Sequence, residues 1–390
     1  MIKIMKTSRI TTIILFSVII NGYSRQSPPI FNENIVFQPG ENSYKCFRIP
    51  SIIKAPNGDL IAFAEGRVDH CGDADNIDIV CKYSTDDGIT WSSLIVVVDN
   101  SDMTCGNMAP VVDYLDPEYP KGRIIMTYNT SVTDEQAILS GRGVREVWMI
   151  ASIDNGRTWS VPKNITLQVH KPYQPKENPL YNFKEDWRWY AITPGHAFQV
   201  IKGKYRGRLF FAANHSLPDK SYFSHCFYSD DHGKTWQLGG NLVKGTNEAT
   251  ACELSDGNIM INARNYNSRK RFVGISNNGG ISWQKSFEDD NLPDPICEGS
   301  ILNDYANKAI LFSNAANVTE RKQMTVRMSF DDGKTWKYNR EIRPTFSAYS
   351  DLVILKKNLY GLLYEANEYG YLYFASFNKS WLGNISGKYN

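Results

Sequence analysis

An arginine motif and an aspartate-rich segment are the first features of this chain that could do chemistry. Residues 47–50 read FRIP, and residues 71–80, CGDADNIDIV, follow soon after Arg67. Arginine is always charged, and its planar guanidinium pairs with a carboxylate through two parallel hydrogen bonds. Aspartate can exchange protons with a substrate, although carboxylate-rich loops are commonly just solvated. Side chains of these two types could bind an anion and exchange protons if the fold brings them together.

The cysteines and histidines form no metal-binding motif. No two cysteines make a CxxC pair, and no histidine–cysteine cluster has zinc-like spacing. Because seven is an odd number, at least one thiol stays unpaired in a monomer, and the sequence does not determine the pairing. The cysteines are Cys46, Cys71, Cys81, Cys105, Cys226, Cys252 and Cys297.

One eight-residue phrase, which we call the Asp box, occurs five times and belongs to the elements that must hold the site. Its frame is Ser-x-Asp-x-Gly-x-Thr-Trp. A short acidic side chain can accept backbone N–H groups within a tight turn, glycine supplies a positive φ, and tryptophan packs against the layer beneath. We therefore expect five structural turns. The copies are STDDGITW (84–91), SIDNGRTW (152–159), SDDHGKTW (229–236), the weaker SNNGGISW (276–283), and SFDDGKTW (329–336).

The spacing of the Asp boxes and the segments between them predict an all-β fold. The boxes begin 47 to 77 residues apart, and short runs such as GRLFFAAN and NIMINAR are typical of strands, with no long helical period. A repeat of this size matches one small antiparallel sheet, and radial repetition of such sheets makes a β-propeller. Two β-sandwich domains are the alternative, but no Pro/Ser-rich or charged linker divides the chain.

The first 24 residues have the pattern of a signal peptide. Three basic residues precede an apolar stretch at 10–20, which is shorter than the about 20 residues needed to span a bilayer. Gly22 and Ser24 fit cleavage after Ser24. The remaining chain, 25–390, has 40 basic and 41 acidic residues, without the basic excess of nucleic-acid-binding proteins. We expect export to a secreted or periplasmic location, and no transmembrane span in the mature chain.

FRIP followed by Asp boxes resembles the exo-α-sialidases (neuraminidases) over nearly the whole mature chain. The resemblance implies one catalytic domain at 25–390, a six-bladed β-propeller of four-stranded antiparallel blades that removes terminal sialic acid. Asp boxes also occur in non-catalytic propellers, so the assignment depends on dispersed residues that match the family's site.

The resemblance implies an arginine cluster that binds the substrate. Sialic acid carries a carboxylate on its anomeric carbon, and the family binds it with three arginines. Arg48 of FRIP, Arg264 of NIMINARN and Arg321 of RKQMTVRMSFDDGKTW match them, with Arg327 as the rival for the third. Arg67 matches a fourth arginine often found in the pocket.

The same resemblance implies the nucleophile and its base. Tyr349 in SAYSDL matches the tyrosine that sialidases use in place of a nucleophilic carboxylate. Tyrosine with its usual pKa of about 10 needs a base, and Glu248 in TNEATACELSDG matches that partner, with Glu253 as competitor. Glu365 in GLLYEANE matches a glutamate that pairs with the first arginine.

Asp73 matches the family's acid/base aspartate on a loop, with Asp69 and Asp75 as alternatives. A cleft with apolar walls is expected to raise the pKa of such an acid. His196 in ITPGHAFQV is interpreted as structural, because the family's chemistry uses no histidine. Residues 106–110, GNMAP, are a candidate wall for the N-acetyl group.

These matches imply a retaining exo-α-sialidase that acts on sialylated glycoproteins, glycolipids or oligosaccharides through a covalent tyrosyl intermediate. They imply a monomer with no cofactor, no metal and no nucleic-acid partner. A trans-sialidase or an intramolecular trans-sialidase stays open as an alternative. So does a non-catalytic sialoglycan-binding propeller, although a pure binder would not need Tyr349, Glu248 and Asp73.

Overall fold

The computed structural model describes residues 27–383, so the predicted signal peptide lies outside the described residues. This part of the chain is built from 24 strands and a few short helices, and an all-β fold is confirmed. None of its helices could cross a membrane. The helices are a 3-10 turn (Glu41–Ser43), α1 (Glu135–Leu139), α2 (Thr166–Val169) and α3 (Lys379–Gly383).

The strands follow one another at short intervals along the chain. The first twelve are β1 (Phe31–Phe37), β2 (Cys46–Lys54), β3 (Leu60–Arg67), β4 (Ile77–Ser84), β5 (Ile95–Val98), β6 (Thr104–Asp113), β7 (Arg123–Ser131), β8 (Glu146–Ser152), β9 (Lys163–Asn164), β10 (Tyr190–Ile192), β11 (Phe198–Gln199) and β12 (Leu209–Ser216). The others are β13 (Tyr222–Ser229), β14 (Gln237–Leu238), β15 (Thr246–Glu253), β16 (Ile259–Asn265), β17 (Lys270–Ser276), β18 (Lys285–Pro293), β19 (Gly299–Asp304), β20 (Ala309–Ala315), β21 (Lys322–Ser329), β22 (Tyr338–Lys356), β23 (Leu359–Ala366) and β24 (Tyr371–Asn378).

Hydrogen bonding joins these strands into four sheets. Their orders are β2-β3-β4-β6-β7-β8-β9 with β5 beside β4, β10-β12-β13-β14 with β11 beside β12, β15-β16-β17-β18, and β1-β24-β23-β22-β21-β20-β19. Pairing is antiparallel except for one parallel residue pair between β4 and β6. The pairing of β1 with β24, in which Phe31 faces Phe377, joins the two ends of the described chain.

The five Asp boxes form the same turn, each leading out of a strand that ends at the box serine. In the last box, the Thr335 N–H group donates to Asp331 Oδ1 at 2.8 Å, and the Ser329 hydroxyl accepts the Gly333 N–H group at 2.9 Å. The weakest copy keeps the turn with Asn278, whose Oδ1 accepts a backbone N–H group at 3.0 Å. The predicted roles of the acidic side chain and the glycine are confirmed.

One Asp box also shows why its glycine is required. Gly88 has φ +87°, and a Cβ there would lie 2.1 Å from the Phe374 ring. Trp91 of the same box packs edge-on against Phe374, with ring centroids 5.4 Å apart. The box therefore fixes its turn directly against β24.

Three buried histidines lie together at the second sheet, His215 on β12, His225 on β13 and His170 beside them. His215 Nδ1 and His225 Nδ1 are 3.1 Å apart, and Trp187 stacks on His215 with centroids 3.5 Å apart. Neither ring nitrogen of His170 has a partner within the described chain. Burial lowers the pKa of His170 and of His225 to about 3, so both are neutral at pH 7.

Candidate functional site

Seven of the eight predicted site residues line one cavity of about 170 Å³. They come from distant parts of the sequence, and the eighth, Glu365, lies fully buried behind Arg48. The seven are Arg48, Arg67, Asp73, Glu248, Arg264, Arg321 and Tyr349.

Register shifts interrupt four strands where residues of the cavity stand. The shifts fall between Arg48 and Ser51 in β2, Gly106 and Ala109 in β6, Thr246 and Ala249 in β15, and Ser347 and Ser350 in β22. A bulge leaves a residue unpaired and turns its side chain in a new direction. Ile49 in FRIP has φ +58°, which is rare for a β-branched residue and marks local strain.

Glu365 ties Arg48 to the backbone of the tyrosine segment. Its Oε1 accepts Arg48 Nε at 3.1 Å and the Ile49 N–H group at 3.0 Å. Its Oε2 accepts the Tyr349 N–H group at 3.3 Å. The buried carboxylate of Glu365 thus gives the strained Ile49 backbone a hydrogen-bond acceptor, and it positions both Arg48 and Tyr349.

Two arginines and a disulfide hold the loop that carries Asp73. Asp73 Oδ1 accepts Arg67 Nη1 at 2.8 Å and Arg48 Nη1 at 3.0 Å, although the Asp73 side chain is 75% exposed. Arg67 Nη1 also lies 2.6 Å from the carbonyl oxygen of Cys71, which is bonded to Cys46 in a disulfide. The loop is therefore anchored on both sides of the cavity edge.

In the cavity without substrate the pKa of Asp73 is lowered, and the rise expected of such an acid is absent. Partial burial of the carboxyl acts to raise this pKa. The positive charges of Arg67 and, to a smaller extent, Arg48 outweigh that effect and lower the pKa below its usual value. The reason is direct contact with two guanidinium groups, which favour the ionised carboxyl.

Tyr349 and Glu248 form a buried pair. The Tyr349 hydroxyl donates to Glu248 Oε2 at 2.7 Å, and the same oxygen accepts Arg264 Nη1 at 2.8 Å. Burial, reinforced by the charge of Glu248, raises the pKa of Tyr349 well above its usual value, against the opposing effect of Arg264 and Arg321. Tyr349 is thus neutral at rest, with a carboxylate in place to receive its proton.

Arg48 and Arg321 flank the ring of Tyr349. Each guanidinium carbon lies 5.5 Å from the ring centroid. Arg321 forms no ion pair within the described residues, and its Nη1 donates to the Tyr369 hydroxyl at 2.8 Å. A cationic group without a carboxylate partner is suited to bind an anion.

The rivals considered in the sequence lie elsewhere. Arg327 is buried within β21, and Glu253 is a fully buried strand residue whose carboxylate binds the Tyr305 hydroxyl at 2.7 Å. Asp75 pairs with exposed His70 at 3.0 Å. None of these three predicted alternatives lines the cavity.

Two other groups of titratable side chains lie outside the cavity. His196 Nδ1 is 2.7 Å from buried Asp351, in keeping with a structural histidine. Asp113, Asp116 and His232 place ligand atoms within 4.8 Å of one another, the geometry of a possible metal site. Arg123 Nη2, however, already lies 2.7 Å from Asp116, so a cation occupies this position within the protein itself.

Sequence reasoning missed much of the cavity wall. One signal was available, because Glu65 stands two residues before Arg67 on the same face of β3 and its Oε2 accepts Arg67 Nη2 at 2.6 Å. Gly106 leaves room for the Glu65 carboxylate, since a Cβ at residue 106 would lie 2.1 Å from Glu65 Oε1. Asn107 belongs to segment 106–110, which the sequence offered as a candidate wall, and it lines the cavity. The wall residues that the sequence did not indicate include Glu65, Glu135, Arg145, Trp189, Ala191, Asn214, Asn247 and Tyr266.

Size alone would have selected a different site. A groove of about 1030 Å³ lies beside the first Asp box and is lined by Asp86, Lys356 and Lys379, among others. It contains none of the predicted site residues and no comparable cluster of arginines. Chemistry therefore favours the smaller cavity.

Comparison with known proteins gives relatives along almost the whole chain. A family model described as BNR repeat-like domain matches residues 58–371. The sialidase of Micromonospora viridifaciens is 32% identical over 376 residues, covering 92% of this chain and 55% of that protein. The exo-alpha-sialidase of Aspergillus fumigatus is 26% identical over 397 residues, covering 91% of this chain and 90% of that protein. The chain thus spans little more than half the length of the Micromonospora relative.

A solved structure shares the fold. The Hadza microbial sialidase Hz136 aligns with a TM-score of 0.77 and 24% identity, covering 90% of this chain and 69% of that one. This likeness indicates the propeller type of fold predicted from the Asp boxes.

Proposed function

This chain belongs to the BNR repeat-like domain family and to the sialidases within it, and we propose that it is a retaining exo-α-sialidase. It hydrolyses the α-ketosidic bond of terminal sialic acid on glycoproteins, glycolipids or oligosaccharides. The observation that carries the proposal is the hydrogen bond from the Tyr349 hydroxyl to Glu248, 2.7 Å long, in a cavity shared with Arg48, Arg264 and Arg321.

Arg48, Arg264 and Arg321 bind the carboxylate on the anomeric carbon. All three approach the Tyr349 side chain, with Arg264 Nη1 3.3 Å from the Tyr349 oxygen. A carboxylate held there brings the anomeric carbon next to the nucleophile. The cavity of about 170 Å³ is smaller than the roughly 300–1,000 Å³ of common ligand pockets, which supports release of one terminal sugar at a time.

Tyr349 attacks the anomeric carbon while Glu248 accepts the phenolic proton. A neutral tyrosine is not repelled by the substrate carboxylate, unlike an acidic nucleophile, and its raised pKa makes the base necessary. The bond from the Tyr349 oxygen to the sugar forms as the bond to the leaving oxygen breaks. In the second half of the reaction, water replaces tyrosine and Glu248 returns the proton.

Asp73 protonates the leaving oxygen and then deprotonates the attacking water. Its low pKa in the empty cavity depends on contact with Arg67 and Arg48. When the substrate carboxylate takes up Arg48, that contact weakens and the pKa of Asp73 rises. Substrate binding thereby prepares the acid.

The architecture that we propose is a six-bladed propeller at residues 25–390, behind a signal peptide at 1–24. Support comes from six successive groups of antiparallel strands: β2–β5, β6–β9, β10–β14, β15–β18, β19 to the first part of β22, and the rest of β22 with β23, β24 and β1. We further propose an exported monomer that needs no cofactor.

A fluorogenic α-sialoside tests the activity directly. Purified protein should release the fluorophore and free sialic acid, and Tyr349→Phe should abolish release. A 2,3-difluoro sialoside should trap the intermediate, and peptide mapping should find the label on Tyr349.

Three outcomes would contradict parts of this proposal. A label on a carboxylate would overturn the tyrosyl mechanism. A 2,7-anhydro product would replace hydrolysis with intramolecular transfer. No release from α2,3-, α2,6- or α2,8-linked substrates would instead indicate a sialoglycan-binding protein.

A further inference from the structure

Tyr369 contacts two of the three arginines that we propose bind the substrate carboxylate. Its hydroxyl accepts Arg321 Nη1 at 2.8 Å, and the Arg48 guanidinium carbon lies 4.2 Å from the centroid of its ring. Within residues 27–383 this hydroxyl is the one hydrogen-bond acceptor of the Arg321 side chain. Glu365 holds Arg48 at its Nε edge, whereas Tyr369 covers its face. A single tyrosine thus links two arginines that are far apart in the sequence.

Tyr369 stands in a strained turn between β23 and β24. Residues 367, 368 and 369 have φ of +52°, +54° and +73°, and Gly370 follows with +89°. A positive φ is uncommon for a residue with a side chain, and most of all for a bulky one such as tyrosine. Strain of this kind persists only where the surrounding structure enforces it, and it concentrates at functional sites. The backbone at 367–370 therefore directs attention to the side chain that it presents.

The turn is fixed to the segments that carry Arg48 and Tyr349. The Phe47 N–H group donates to the carbonyl oxygen of Gly370 at 3.3 Å, so the turn is hydrogen-bonded to FRIP itself. Phe346, on β22 ahead of Tyr349, packs edge-on against the Tyr369 ring with centroids 4.8 Å apart. The position of the Tyr369 ring is therefore coupled to both sides of the arginine cluster.

A tyrosine can orient an arginine without cancelling its charge. A carboxylate in the place of the Tyr369 hydroxyl would pair with Arg321 and compete with the substrate for it. The uncharged hydroxyl accepts one N–H group and leaves the other donors of the planar guanidinium free to meet a ligand. Tyr369 does not line the cavity, so it acts through the arginines and not by touching the sugar.

We propose that Tyr369 is a positioning residue that orients Arg48 and Arg321 to bind the substrate carboxylate. This role rests on the proposed sialidase function. The hydroxyl fixes the direction of Arg321, and the ring fixes the plane of Arg48.

The test compares two ligands, 2-deoxy-2,3-dehydro-N-acetylneuraminic acid and its methyl ester, which lacks the negative charge. Calorimetry on the whole chain gives the ratio of their dissociation constants, and this ratio reports how well the arginines hold the carboxylate. Tyr369→Phe removes only the hydroxyl and should lower the preference for the acid by about three- to tenfold, the range for net loss of one hydrogen bond. Tyr369→Leu also removes the ring and should lower it by a further factor of about two to five, the range for an exposed cation–π contact. Tyr369→Phe is sufficient if Tyr369→Leu does not fold.

Tyr373→Phe is the matched control. The Tyr373 hydroxyl accepts Asn367 Nδ2 from the same turn at 2.8 Å, and its ring lies 4.3 Å from the guanidinium carbon of Arg343, which does not line the cavity. This variant should keep the ratio of the unaltered protein. With a fluorogenic sialoside, Tyr369→Phe should raise KM more than it lowers kcat, because the carboxylate is held in the ground state and the transition state alike.

An unchanged ratio in Tyr369→Phe and Tyr369→Leu, whether or not both affinities fall, would overturn the role of Tyr369. If the unaltered protein cleaves no sialoside but still prefers the acid, the proposed function fails and the ratios decide the role of Tyr369 by themselves. If the unaltered protein does not prefer the acid, the assignment of the arginines is wrong and the role of Tyr369 fails with it.

Discussion

The disulfide between Cys46 and Cys71 should contribute strongly to stability. It links residues 25 apart, and closing a loop of that length in the unfolded chain is worth about 3.5 kcal/mol at 25 °C. A double variant, Cys46→Ser with Cys71→Ser, should therefore have a free energy of unfolding lower by about that amount.

Urea denaturation monitored by tryptophan fluorescence measures this difference, and a reductant supplies the control. Dithiothreitol should lower the denaturation midpoint of the unaltered protein to that of the double variant. The double variant itself should not respond, because the other five cysteines are free and buried.

The activity of the folded double variant should change much less than its stability. Arg67 Nη1 still holds the loop through the carbonyl oxygens of residues 71 and 72, at 2.6 and 2.8 Å, and through Asp73. We expect kcat/KM within about tenfold of the unaltered protein, a difference of about 1.4 kcal/mol. Equal stability of the two proteins would refute the loop-entropy argument. A loss of several hundredfold in activity would show that the disulfide, rather than Arg67, positions Asp73.

Four further predictions follow from the site and the fold. Tyr349→Phe should abolish turnover but keep affinity for a 2,3-dehydro inhibitor, measured by calorimetry; loss of both would indicate a collapsed cavity. Asp73→Ala should reduce kcat/KM far more for natural sialosides than for an activated aryl sialoside, because an aryl leaving group departs with little protonation; equal losses would exclude the acid role. Asp331→Ala should lower the melting temperature through loss of turn hydrogen bonds worth about 0.5–1.5 kcal/mol each, with activity per folded molecule kept. Finally, His170 and His225 stay neutral in the fold down to about pH 3, whereas unfolded histidine takes up protons near pH 6.5. Stability should therefore fall as pH decreases below about 6.5, by about 4 kcal/mol at pH 5 for the pair, and His170→Phe should reduce this dependence in urea titrations.

The repeats were sufficient to predict the fold class because each Asp box carries its own turn chemistry. Asp331 needs only residues within four positions to satisfy its carboxylate, so the signal is local and readable. The pairing of β1 with β24 had no such signal, since it joins residues more than 300 positions apart.

The site residues could be selected only by resemblance, and most of their surroundings could not be predicted. Tyr349 is one of 22 tyrosines, and the residues next to it in the sequence do not indicate the register shift that interrupts β22 at this point. The low pKa of Asp73 escaped prediction because it depends on Arg48, 25 residues away, as well as on nearby Arg67. The place of Arg145 in the cavity wall gave no signal either, because only the fold brings it there.

The contact between Arg48 and Glu365 joins residues 317 positions apart, and this separation has a consequence for biosynthesis. A nascent chain that has emerged from the ribosome through β22 contains the three arginines that we propose bind the carboxylate, together with Tyr349 and its proposed base Glu248. It still lacks the carboxylate that holds the first arginine, and it lacks β24, to which β1 must pair. The cavity is therefore among the last regions of the molecule to be completed during synthesis, and the onset of activity would mark the moment when the two ends of the chain meet.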